Sequence, residues 1–303
     1  MTKLVGGIPR SRSSFEALIL TALATAGVVT PGDAQVRYAG TVAYSRGSYF
    51  FDQTTASFYF DNRLSLDGDR VTLSLSLPLI LQQEGAVTWV AGSPTPTGGV
   101  QNGLVSGRMD GSTIGARRGK RDGAITDSVL VVDSEYSASL GDPLLGLGAD
   151  VFTGFGVVRS VRLEGRVKAP ITDLGEGSGS GGWDFGAGGS LTLGHGTVLA
   201  FADATYWWIE DLPDLELLDR LSYGLGVAVP LTDTGSSVLF GVSGASKTIP
   251  SADVPLSLDG AAGFGVGERG FVTLGLSIGL TESSPDLSLQ AGFSADLLTF
   301  PGG

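Results

Sequence analysis

The feature that most constrains this chain is a period-two pattern whose second parity is small and uncharged. Val71, Leu73, Leu75, Leu77 and Leu79 alternate with Thr72, Ser74, Ser76 and Pro78. Leu225, Val227, Val229 and Leu231 alternate with Gly224, Gly226, Ala228 and Pro230. The same holds for Leu274, Leu276, Ile278 and Leu280, and for Leu287, Leu289, Ala291 and Phe293. Successive strand side chains point to opposite faces, so these segments predict strands with one apolar face and one face of Gly, Ser, Thr and Ala. A soluble sandwich would set Lys, Glu and Arg opposite its buried face. A membrane barrel turns the apolar face to lipid and the small polar face to the lumen. That assignment accounts for the 48 glycines and for a charged fraction of only 17%.

Segments of about ten residues, the length a tilted strand needs to cross a bilayer, recur twelve times. They fall at 36–46, 54–64, 69–81, 142–152, 156–169, 183–194, 197–209, 219–230, 236–247, 256–267, 270–280 and 287–299. Connections alternate in length. Short turns such as Asp67-Gly68-Asp69 and Gly194-His195-Gly196 follow even segments. Longer polar stretches, among them 82–141, 170–182, 210–218 and 248–255, follow odd ones. The expected fold is therefore all-β: a closed antiparallel transmembrane β-barrel of about 12 strands, with short periplasmic turns and long external loops. A secreted β protein is the alternative.

The first 34 residues read as a secretory signal. Lys3, Arg10 and Arg12 precede an apolar run over 15–29, and Gly32-Asp33-Ala34 supplies small residues for cleavage before Gln35. Residues 35–303 would then form one outer-membrane barrel in a Gram-negative-type envelope, with 82–141 as a long external loop, lid or plug. The net charge of −12 disfavours nucleic acid as a partner. No Cys and a single His exclude disulfides, thiolate metal sites and histidine clusters, and no metal or other cofactor is expected.

One strand carries charge at its centre. Arg162, Glu164, Arg166 and Lys168 share a parity opposite Val161, Leu163 and Val167. Arg or Lys facing lipid at mid-membrane costs about 2–4 kcal/mol, so this parity should line the lumen. Asp150, Asp184, Asp203 and Asp259 join it as lumen-lining candidates. Tyr38, Tyr44, Trp183, Tyr206 and Trp208 fall near segment ends, where membrane-interface aromatics sit. The basic run Arg117-Arg118-Gly119-Lys120-Arg121 could face lipopolysaccharide phosphates. Enzymatic chemistry finds no footing: His195 lies in a two-glycine turn at the periplasmic end, away from any outer-leaflet triad. No catalytic residue is assigned.

At Lys168-Ala169-Pro170-Ile171-Thr172-Asp173, then Gly175-Glu176-Gly177-Ser178-Gly179 and Trp183-Asp184, the chain resembles the phenol meta-pathway degradation transporter-like family of outer-membrane proteins. That family's pattern is a strand ending in Lys-x-Pro-Thr-Gly, a Gly-rich loop and a strand opening with Asp; here Ile171 and Thr172 replace Thr and Gly. Gly279 to Asp286 resembles its Ser-Pro-Asp turn, and the resemblance spans residues 140–300. It implies an outer-membrane barrel that passes small hydrophobic or aromatic solutes, inserted by the barrel-assembly machinery into outer-membrane lipid. The alternative is a structural or surface-interaction barrel with a closed lumen and no transport. Phe300 breaks the parity of Leu287, Leu289 and Phe293, so a bulge is expected near Asp296–Leu298.

Overall fold

The computed structural model describes residues 34–49, 54–83, 87–97, 136–154, 156–172, 178–212, 215–232, 235–250, 252–267 and 269–300. The leader at 1–33, the basic run at 117–121 and residues 173–177 lie outside them. The elements in the described residues are all strands: β1 (Ala34–Gly47), β2 (Thr55–Asp67), β3 (Val71–Gln83), β4 (Thr88–Val90), β5 (Ser93–Thr95), β6 (Tyr136–Leu140), β7 (Leu144–Thr153), β8 (Val158–Lys168), β9 (Asp184–His195), β10 (Val198–Trp208), β11 (Arg220–Pro230), β12 (Ser237–Ala245), β13 (Leu256–Val266), β14 (Gly270–Gly279) and β15 (Leu287–Phe300).

Pairing is antiparallel throughout, and it closes. From β7 to β15 each strand bonds to the next in sequence, β15 bonds to β1, β1 to β2, and β2 to β3. The wall between β3 and β8 is one stave built from two strands. Against β3, β6 pairs from Gln83↔Tyr136 to Leu79↔Leu140, and β7 resumes from Ser76↔Leu144 to Val71↔Ala149. The break at 141–143 is bridged by Gly141 N–H donating to Pro78 O at 2.8 Å. The result is a closed antiparallel barrel of twelve staves, in whose wall β6 alone, among the described residues, pairs on one side only.

All twelve segments expected from the alternation are present within a few residues; the fourth is extended upstream by β6. Register follows the parity of the sequence. Leu75, Leu77, Leu225, Val227, Leu274 and Leu276 are all exposed on the outside. A soluble protein does not expose an apolar belt of this extent, whereas it is the surface lipid requires. The parity break near the end is resolved by a bulge: Val36 pairs with Leu298 and Arg37 with Asp296, so Leu297 is skipped. The extra residue returns Leu298 and Phe300 to the outer face, where both are exposed.

The two ends of the barrel differ. β1 starts and β15 finishes at the end that carries the short β2–β3, β7–β8, β9–β10, β11–β12 and β13–β14 connections. The longer connections gather at the other end. There a small hydrophobic core sits inside the wall, made of Val90 and Ala91, Trp207 of β10, Leu212, Leu215 and Leu217 of the β10–β11 connection, and Ile249 and Ala252 of the β12–β13 connection. The only tightly packed apolar cluster among the described residues therefore closes the mouth of a barrel rather than filling a globule.

Candidate functional site

The 82–141 segment does not run only outside the barrel. Its first part, β4 and β5, folds as a three-residue-per-strand hairpin, Thr88↔Thr95 to Val90↔Ser93. Ala91 and Gly92 both take positive φ, 49° and 73°, the paired left-handed geometry of a tight hairpin turn whose twist suits its strands. Thr88, Trp89, Val90, Ala91 and Thr95 are all buried. A three-residue hairpin is not stable alone, so the wall must hold it. Trp89 stacks on Tyr59 of β2, ring centres 4.5 Å apart, and its indole N–H donates to Gln82 Oε1 at 3.0 Å. Thr97 Oγ1 donates to Thr88 Oγ1 at 2.6 Å.

Lys168, at the end of β8, anchors the turn of that hairpin. Its ammonium lies 2.9 Å from Asp142 and 3.0 Å from Asp184, with all three side chains almost wholly buried, and it also donates to Ser180 Oγ. Asp142 accepts the backbone N–H groups of Ile171 and Thr172 and the Thr172 hydroxyl, while Asp184 accepts the N–H of Ala91 at 3.1 Å and of Glu210. One cation thus ties the β6–β7 break, the β8–β9 connection, the start of β9 and the hairpin tip together. Burying two carboxylates is tolerable only with this set of partners.

Deeper in the barrel the charges of β8 form a ladder. Arg162 meets Asp150 of β7 at 3.1 Å and Glu164 at 3.4 Å, and Arg166 meets Glu164 at 2.6 Å. Glu164 therefore pairs within its own strand. A β-carbon at Gly148 would collide with the Arg162 guanidinium, and one at Gly186 would press on the Trp207 ring. Inward glycines let long side chains lie flat against the wall; they do not simply widen the lumen.

Beneath the hairpin lies a chamber of about 640 Å³. Its charged lining comes from Asp61, Arg63, Arg166, Asp203, Arg220 and Asp253; the edge of the apolar cluster, at Trp207 and Ile249, borders it; Ser222, Ser243, Ser257, Ser277 and Ser288 cover much of the rest. Asp259 is the cross-strand partner of Ser277, and that row continues through Ser288, Ser45 and Ser57. The Ser45 and Ser57 hydroxyls are hydrogen-bonded at 2.7 Å. Asp184 lies apart from this lining, in the Lys168 cluster. Among the described residues no three His, Cys, Asp or Glu side chains gather in a metal-holding group.

The five aromatic candidates are Tyr38 and Tyr44 on β1, Trp183 just before β9, and Tyr206 and Trp208 on β10. Tyr206 and Trp208 stand edge-to-face on the outside of β10 at the long-loop end, 5.0 Å apart. Tyr44 packs on Phe58 at 5.0 Å and Trp183 on Phe185 at 6.4 Å. Tyr38 donates to Asn62 and leans on Phe293. His195 is exposed at the short-turn end.

Several residues escaped the sequence reading. Asp142 sits in a strand break that no periodicity marks. Arg220 shares the parity of Ser222 and Gly224, which was sufficient to turn it inwards. At the short-turn end, Arg37 reaches Asp296 at 2.8 Å and Asp67 at 3.6 Å, a charge cluster that joins β1 to β15 and β2.

No protein-family profile matches the sequence, and no curated protein does. Among solved structures, an outer membrane channel from Pseudomonas putida F1 is similar in fold, with a TM-score of 0.55 over 88% of this chain and 94% of that one, at 13% identity. More distant are the translocator domain of the autotransporter NalP from Neisseria meningitidis (TM-score 0.40, 9% identity, 94% and 96% of the two chains) and a TodX mutant described as a monoaromatic hydrocarbon channel (0.40, 12%, 90% and 91%). The first likeness shows the fold: a twelve-stave barrel of the outer-membrane kind.

Proposed function

We propose that this chain is an outer-membrane channel through which small solutes pass passively, without catalysis. The observation that carries the reading is a closed wall, apolar outside, around a chamber of about 640 Å³. That volume suits a ligand of modest size. Hydrophobic or aromatic solutes fit the resemblance at 168–184. Export by the 1–34 signal, insertion by the barrel-assembly machinery, and contact of the 117–121 run with lipopolysaccharide belong to the same proposal.

A second reading has its own support. The hairpin is buried and anchored by Lys168 and Trp89, which suits a barrel that stays shut and serves a structural or surface role. Planar-bilayer conductance and liposome uptake of phenol separate the two, using wild type and a variant lacking residues 88–95. A channel conducts or passes phenol in at least one of these forms. If neither form passes ions or phenol, transport is excluded and the closed barrel stands.

A further inference from the structure

Arg220 opens β11 at the long-loop end and borders the chamber. A terminal guanidinium nitrogen donates to Ser93 Oγ of the hairpin at 3.1 Å. Its Nε is buried and makes no hydrogen bond. Among the described residues no carboxylate lies within ion-pair distance of it. The other cations of this interior are matched: Arg63 with Asp61, Arg162 with Asp150, Arg166 with Glu164, and Lys168 with two aspartates. A guanidinium that is half-buried and has no anion beside it is costly, and this one borders the chamber.

We propose that Arg220 is the anchor for the carboxylate of a small monoanionic solute held in the chamber. Deepening the channel reading on which it rests, this names the solute class. The planar fork of a guanidinium matches a carboxylate two oxygens to two N–H groups, and of its nitrogens only one has a hydrogen-bond partner among the described residues, Ser93. Ser93 Oγ accepts from Arg220, so its own proton is available for the same anion. Trp207 is the cross-strand neighbour of Arg220, and the edge of the buried cluster it belongs to makes this side of the chamber apolar. Asp61, Asp203 and Asp253 share the lining, which opposes a dianion such as phosphate more strongly than a single carboxylate.

The test compares benzoate with its neutral isostere benzamide on detergent-purified full-length protein, by calorimetry and tryptophan fluorescence. Wild type should bind benzoate about tenfold or more tighter than benzamide. Arg220→Gln should lose that preference and keep its benzamide affinity, and Arg220→Lys, which retains charge without the fork, should fall between. Heat-modifiable gel mobility reports folding of each variant; if Arg220→Gln does not fold, wild type and Arg220→Lys decide. Equal binding of the two probes by wild type, or full benzoate affinity in Arg220→Gln, overturns the inference. Liposome passage of phenol is read separately. Passage without benzoate preference sinks the Arg220 assignment alone, and benzoate preference without any passage sinks the channel reading alone.

Discussion

Lys168 joins four segments through two buried carboxylates, so its removal has a larger consequence than loss of one ion pair. Lys168→Met would leave Asp142 and Asp184 buried with no counter-charge. Stranding a buried charge typically costs about 3–5 kcal/mol, and urea unfolding in lipid should register a loss of that size, with Lys168→Arg losing less. A loss below about 1 kcal/mol would mean the site is wetter than its burial indicates. The resemblance at residues 168–184 already drew attention to this lysine and to Asp184. Parity placed Lys168 with the inward charges of β8, but nothing in one strand's spacing reveals that its partners come from a wall break and a loop. Arg220 was overlooked for the opposite reason: an isolated arginine at a strand start looks ordinary until its missing anion is seen in three dimensions.

At the scale of elements, the strands were legible and the hairpin was not. Period-two patterning needs four or more residues to register, and β4 and β5 have three each. The signal present was Ala91-Gly92 between Thr-Trp-Val and Ser-Pro-Thr, a turn short enough to be passed over inside a long connection. The length of 82–141 points to a lid or plug; which part enters the barrel depends on the Tyr59 ring that Trp89 stacks on. Trp89→Ala removes that stacking and the bond to Gln82. Truncating a buried tryptophan costs about 3–5 kcal/mol, more than a short hairpin can supply by itself. The hairpin should leave the mouth, giving larger single-channel conductance and protease cleavage near residues 88–95, while heat-modifiable mobility stays normal. Unchanged conductance with a cleaved hairpin would show that the constriction lies deeper, at the Arg162–Glu164–Arg166 ladder.

For the whole molecule, the alternation was sufficient because a barrel asks so little else of its sequence. Each stave needs lipid-compatible side chains on one parity and fitting ones on the other, and closure then satisfies every backbone group between neighbours. Globular cores depend on contacts that a linear pattern hides; here neighbours in space are mostly neighbours in sequence. The same logic gives a test that no soluble fold would pass. Leu225 and Ser243 lie on adjacent strands near one level, since Leu225 pairs with Val242 and Gly224 with Ser243. Leu225 is 60% exposed on the outer face, and Ser243 lines the chamber. Leu225→Arg would place a guanidinium against hydrocarbon and should cost about 2–4 kcal/mol in reversible folding into bilayers. Ser243→Arg places the same group in a polar lumen, where stability should change little and conductance should fall. In water the order would invert: an exposed leucine is the easier site for arginine, and a partly enclosed serine the harder one. A Leu225→Arg variant as stable as wild type in lipid would therefore mean that this belt does not face a membrane.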